Sequence, residues 1–170
     1  MATAKKTNPA PKRYWLFKSE PTAYSIHDLE REPKQTTFWD GVRNYQARNL
    51  LRDDVHVGDR VFFYHSNCDP LAITGTAEVI AEGYPDHTAW DKKSGHYDPK
   101  SSPENPAWYM VDIRLLKVFP QPITRESLMD CKELKEMMLL KRGSRLSIQP
   151  VTAAEWKAIH TLAGVADAKM

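Results

Sequence analysis

The run Trp39-Asp40-Gly41-Val42-Arg43-Asn44-Tyr45-Gln46-Ala47-Arg48-Asn49 holds aromatic, amide and cationic groups more densely than a hydrophobic core requires. After a Gly58-Asp59 turn, Tyr64-His65-Ser66-Asn67 adds more of the same kind. Such groups suit a flat, polar ligand: aromatic faces stack on it, amides read its edge and guanidinium groups hold anions. Lys18-Ser19-Glu20-Pro21 and Arg145-Leu146-Ser147-Ile148-Gln149-Pro150-Val151 carry similar chemistry. A barrel would bring these distant segments together.

Catalytic patterns are absent from the sequence. There is no G-x-S-x-G elbow, Walker loop, Rossmann glycine series or H-E-x-x-H helix. His65 and Cys68 lie three apart, but no third partner can be assigned, and a histidine at a strand end is more often a buried, hydrogen-bonded one. His87, Asp91, His96 and Asp98 are residue types that bind zinc or manganese. Their spacing matches no ordered motif, and a solvated loop is favoured. No metal and no cofactor is expected.

The elements that must position these groups follow from pattern. Tyr14 to Lys18 is an aromatic and aliphatic run stopped by Ser19-Glu20-Pro21, which reads as a strand covered on both faces. Ser25 caps a short helix with Asp28 closing an acidic variant of the capping box, and Pro33 ends it. From Arg43 to Arg52, Arg43, Ala47, Leu50 and Leu51 share one helical face, and Asn44, Tyr45, Arg48, Asn49 and Arg52 the other. The start of that helix, at Asp40-Gly41, offers free amides to an anion. Arg60 to Tyr64, Ala72 to Glu82 and Trp108 to Val118 alternate like antiparallel strands. Tyr84 to Ala107 has no period and reads as a long loop over one side of the barrel. Helices are expected at 125–130 and 132–139, a closing strand at Arg145 to Val151, and a last helix capped by Thr152 with Glu155. Strands and short helices mix without a βαβ rhythm. The expected fold is α+β, a small, mixed, mostly antiparallel barrel flanked by short helices.

At 170 residues and 41% hydrophobic, the chain suits one domain, placed at residues 13–164, with mobile tails at 1–12 and 165–170. Two cysteines, Cys68 and Cys131, make no disulfide framework and point to a reducing compartment. No signal peptide or membrane span is read, so a cytoplasmic place in a bacterium or a nuclear one in a eukaryote is expected, with no secretion. A net charge of +2 is too mild to identify a polyanion partner by itself.

The segments at 14–21, 39–49, 64–67 and 145–151 match, in order, the motifs of the EVE domain of the PUA-like superfamily, which the chain resembles from Tyr14 to about Leu162. The resemblance implies a pseudobarrel with flanking helices, related to the YTH domains that read methylated adenine in RNA. It also implies a non-catalytic pocket for a modified base, methylated or hydroxymethylated, in DNA or RNA. On that expectation Trp39 and Tyr45 stack on the base, while Ser19, Glu20, Asn44, His65, Ser66, Asn67, Ser147 and Gln149 complete the pocket. Lys18, Arg43, Arg48 and Arg145 would hold flanking phosphates.

Each residue also has a plainer reading. Trp39, Tyr45 and Tyr64 are candidates for the core, Arg48 and Arg52 for a solvated face paired with Asp53 and Asp54, and Asp40 for a helix cap. Glu20 can pair with Arg43 or Arg145, and the face shared by Ser147 and Gln149 can be solvent. Trp15, Trp108 and Trp156 are assigned to packing. The alternative function is an interaction domain that uses the same pocket for a small metabolite or a protein segment.

Overall fold

Trp15, Leu16 and Phe17 are consecutive and all fully buried, so strand β1 (Tyr14–Ser19) is covered on both faces, as its unbroken apolar run predicts. The computed structural model describes residues 11–167. Around β1 stand β2 (Thr36–Phe38), β3 (Arg60–His65), β4 (Ala72–Pro85), β5 (Tyr109–Thr124) and β6 (Ile148–Val151). They form one sheet in the order β2-β5-β4-β3-β1-β6. The β1–β3 pair is parallel and every other pair is antiparallel.

Alternation along the strands sorts the side chains into two cores. Trp15 and Phe17 join Val61, Phe63, Val79 and Ile113 on one face, closed by helices α1 (Ile26–Arg31) and α2 (Tyr45–Asn49) through Ile26, Leu29 and Ala47. Leu16 joins Phe62, Tyr64 and Ile73 on the other, closed by α3 (Arg125–Met129) and α4 (Ala153–Ala163) through Leu128, Trp156 and Ile159. Trp156 stacks on Phe62 at 4.0 Å and on Tyr14 at 4.8 Å between ring centroids. Burying a large apolar side chain contributes about 1.5–3 kcal/mol, so these two layers supply most of the cohesion.

Both capping boxes form as their sequences predict, Ser25 with Asp28 and Thr152 with Glu155. The buried carboxylate of Asp59 accepts from the amides of Arg13 (3.1 Å) and His56 (2.9 Å) and from Trp15 Nε1 (2.9 Å). It thereby ties the start of β1 to the turn before β3.

Several elements differ from expectation. β2 lies in a polar segment too short to alternate, after Lys34 and Gln35 turn through positive φ. Helix α2 begins at Tyr45 under an Asn44 cap, not at Asp40-Gly41, and passes into a π turn over Leu50–Asp54. The helix expected at 132–139 is two 3-10 turns, Lys132–Leu134 and Met138–Leu140. Leu134, Met137 and Leu139 all enter the second core, and a single α-helix would splay them around its circumference. The closing strand is confined to Ile148–Val151. The expected tails fall mostly on residues 1–10 and 168–170, which lie outside the described residues. Past Gly164, however, the Val165 amide donates to the His160 carbonyl (3.3 Å) and Asp167 accepts from Trp156 Nε1 (2.9 Å).

The edge strands β2 and β6 are not paired, yet Thr36–Phe38 and Ser147, just before β6, line one cleft. The sheet therefore curls until its edges face each other, an open pseudobarrel. Register shifts along the β4–β5 ladder supply the bending, and one of them surrounds Gly75. A Cβ there would collide with the Lys117 carbonyl oxygen and Ile26 Cδ1. Gly75→Ala is expected to cost about 1–3 kcal/mol in a denaturant titration. Gly95→Ala, with nothing within 4 Å of the added carbon, should leave the midpoint unchanged.

Candidate functional site

The cleft between the curled edges has a volume of about 730 Å³. Lys18, Ser19 and Glu20 line it from the end of β1, Thr36–Phe38 from β2, Trp39–Arg43 from the next segment, and His96 and Ser147 from two loops. That volume lies within the roughly 300–1,000 Å³ of sites that enclose small organic ligands.

Trp39 is a fixed wall. Its ring centroid lies 5.3 Å from both Phe17 and Phe63, its amide donates to the Val111 carbonyl at 2.8 Å, and only 7% of the residue is exposed. Phe38 is 43% exposed and meets His87 edge-on. Opposite, Ser19 Oγ donates to the Tyr24 carbonyl at 2.6 Å, and Tyr24 donates to Glu32 Oε1 at 3.1 Å. Burial, with Glu32 accepting its proton, pushes the Tyr24 phenol up to about 12, so it remains a donor. Glu20 is exposed in the cleft.

The 39–43 wall hangs from Asp86, whose side chain is fully buried. Asp86 accepts from the Gly41 amide (2.9 Å), Arg43 Nη1 (2.9 Å), the Thr88 amide (2.9 Å) and the Thr88 hydroxyl (2.5 Å). Burial opposes its ionisation, but the bonds from Thr88, Gly41 and Arg43 outweigh it and hold its carboxyl below the ordinary range. Arg43 also donates twice to the His96 carbonyl (3.1 and 2.6 Å) and lies over Trp108. His96 in turn meets Asp40 at 3.2 Å and covers Gly41, whose φ of +79° and crowded Cβ position both exclude a side chain.

Of the residues singled out from sequence, Lys18, Ser19, Glu20, Trp39, Arg43 and Ser147 line the cleft. The others lie elsewhere. Asn44 Oδ1 caps α2 by accepting from the Ala47 amide (3.0 Å). Tyr45 is 60% exposed and stacks on Trp108, outside the cleft, with Arg48 over its ring and donating to the Ala107 carbonyl at 2.6 Å. His65 Nε2 accepts from the Ile26 amide (3.1 Å), and burial, then His27, lowers its pKa and keeps it neutral. Ser66 donates its amide to the Ser19 carbonyl, and Asn67 forms an exposed turn at φ 49°. Gln149 is buried on the Leu16 side of the sheet, bonded to Ser144 and Leu146. Arg145 is exposed on the irregular segment before Ser147.

The four loop residues of metal-binding type also separate. His96 meets Asp40, Asp98 accepts from Trp108 Nε1 (2.7 Å), Asp91 from the Lys93 amide, and His87 lies against Phe38. No three His, Cys, Asp or Glu side chains gather as metal ligands among the described residues. Sequence reasoning missed Thr37 and Phe38, because three residues of strand in a polar stretch leave no periodic signal, and Tyr24 and Glu32, which flank α1 outside any motif.

Asp86 ionises more readily folded than unfolded, so its contribution is complete above the unfolded carboxyl value near about 4 and is lost as pH falls through its lower folded value. Asp86→Asn is therefore expected to cost about 1–3 kcal/mol at pH 7, by weakening the charge-assisted bonds that the buried carboxylate accepts from Arg43, Gly41 and Thr88. The gap to the parent should narrow in denaturant titrations below pH about 3.

A family model described as the EVE domain matches residues 13–162. Human thymocyte nuclear protein 1 is 43% identical, over 88% of this chain and 73% of that protein. The solved structure of human THYN1 protein in complex with 5-methylcytosine-containing DNA is 42% identical, with a TM-score of 0.85 over 92% of this chain and all of that one. The YTH domain of Zygosaccharomyces rouxii MRB1 protein, solved with N6-methyladenosine RNA, shares the fold at 18% identity and a TM-score of 0.53, over 95% of this chain and 90% of that one. With its motifs in order and the family model spanning nearly all of the described chain, this protein belongs to the EVE domain family.

Proposed function

We propose that this chain is a non-catalytic nucleic-acid-binding module that takes a modified base, with methylated cytosine in DNA as the first candidate, into the cleft beside Trp39. The observation that carries this reading is the walled cleft in a chain 42% identical to human THYN1 protein, which was solved with 5-methylcytosine-containing DNA. A base swung out of a duplex loses a few kcal/mol of stacking and pairing, and contacts to aromatic rings return about 1–3 kcal/mol. Trp39 and Phe38 offer such contacts and an apolar place for a methyl group. Glu20 accepts from an exocyclic amine, as carboxylates do with cytosine. On this reading the chain acts in a nucleus or a bacterial cytoplasm, and no helix among the described residues is long and apolar enough to cross a membrane. A small metabolite in the same cleft is the competing reading, favoured if oligonucleotide affinity is weak and independent of salt.

Trp39 is too deeply packed to be a clean probe, because its removal costs about 3–5 kcal/mol of stability by itself. Glu20 is exposed and serves better. Glu20→Ala should weaken binding to a 5-methylcytosine oligonucleotide by about 1–3 kcal/mol in a fluorescence anisotropy titration, and weaken the unmodified control far less. Equal losses on both would sink the pocket assignment.

A further inference from the structure

Four strands stop together beside the cleft. Ser19 pairs with His65, His65 with Ala72, and Ala72 with Thr124, so the ends of β1 and β3, the start of β4 and the end of β5 form one row. One residue in from this row Lys18 stands beside Tyr64, on the sheet face of the second core. One residue beyond it Arg125 opens α3, its amide donating to the Leu71 carbonyl at 2.8 Å. Among the described residues the Arg125 side chain donates to Met129 Sδ (3.2 Å), and its charge is felt at both Lys18 and Tyr64. Burial and then Arg125 lower the Lys18 pKa. Arg145 precedes Ser147, whose carbonyl accepts from the Lys18 amide at 2.9 Å.

The opposite side of the cleft has a different balance. Arg43 is paired with buried Asp86, Arg48 is held by the Ala107 carbonyl, and Arg52 lies across both oxygens of Asp53 at 2.7 and 2.8 Å. Glu20, Glu32 and Asp40 line the cleft itself, and near the row Glu126 is exposed on α3 and Asp69 on the bend between β3 and β4. An anionic backbone entering here meets carboxylates inside, arginines already engaged by Asp86, Asp53 or the Ala107 carbonyl on the α2 side, and Lys18 and Arg125 along the strand ends.

We propose that Lys18 and Arg125, with Arg145 on the segment before Ser147, hold backbone phosphates of the bound strand, so that the nucleic acid leaves the cleft over the ends of β1 and β3 instead of along α2. The inference rests on the base-binding reading above. Like charges along one edge of the sheet are relieved when an anion joins them. A phosphate contact of this kind fixes the register of the strand without reading its sequence.

The test measures affinity against salt concentration for the full chain, on two oligonucleotides of one sequence, with and without 5-methylcytosine. Arg125→Gln is expected to weaken both equally and to make the slope of log affinity against log salt shallower by about one, while the preference for the modified strand is kept. Arg52→Gln, on the α2 side, should leave the slope as it is. An unchanged slope in Arg125→Gln, with the parent binding normally, overturns the phosphate site alone. Failure of the parent chain to bind either oligonucleotide overturns the base-binding reading and this inference with it.

Discussion

A carboxylate with no exposed surface must have its partners supplied by the fold, and Asp86 finds them in two stretches of chain more than forty residues apart. That single requirement shapes the cleft. To reach Asp86, the Gly41 amide turns inward at positive φ, and the Arg43 guanidinium follows it beneath the long loop. Arg43 then carries Trp108 on its face, Trp108 donates to Asp98, and Tyr45 stacks on Trp108 from outside. The buried anion thus fastens the long loop to the Gly41 and Arg43 side of the cleft.

The same network explains what was legible in the sequence. Local signals read well: the buried run at β1, the alternation of β3, β4 and β5, and the two capping boxes each depend on residues a few positions apart. The motif from Trp39 to Asn49 was also legible as an unusual density of groups, but its division of labour was not. Arg43 looks identical in sequence whether it holds a phosphate or Asp86, and Asn44 whether it reads a base or caps a helix. Such choices are made by partners far along the chain. Gln149 illustrates the converse error, since alternation correctly puts it on the face of Ser147, but that face at this depth belongs to the second core.

Polar residues dense enough to suggest a binding site therefore serve two ends in this fold. Asn44, His65 and Arg48 satisfy backbone groups that the short helices and long loop leave open, a need that grows as regular structure shrinks. What they position is a smaller set, Ser19, Glu20, Phe38, Trp39 and Ser147, around a cleft whose walls barely depend on one another's sequence neighbourhood.

The parallel pairing of β1 with β3 gives that cleft its direction. Because the two strands run the same way, Ser19 and His65 end side by side, and the loops that follow both leave from the same edge. An antiparallel neighbour would have placed Arg60 and the Gly58-Asp59 turn there instead. The chain needs the whole α1, β2 and α2 excursion to make this parallel return, and it is that excursion which carries β2 and Trp39 around to face β1. Cleft and strand ends are thus consequences of one topological choice, so Lys18 and Ser19, at the end of β1, open directly into the space that Trp39 walls.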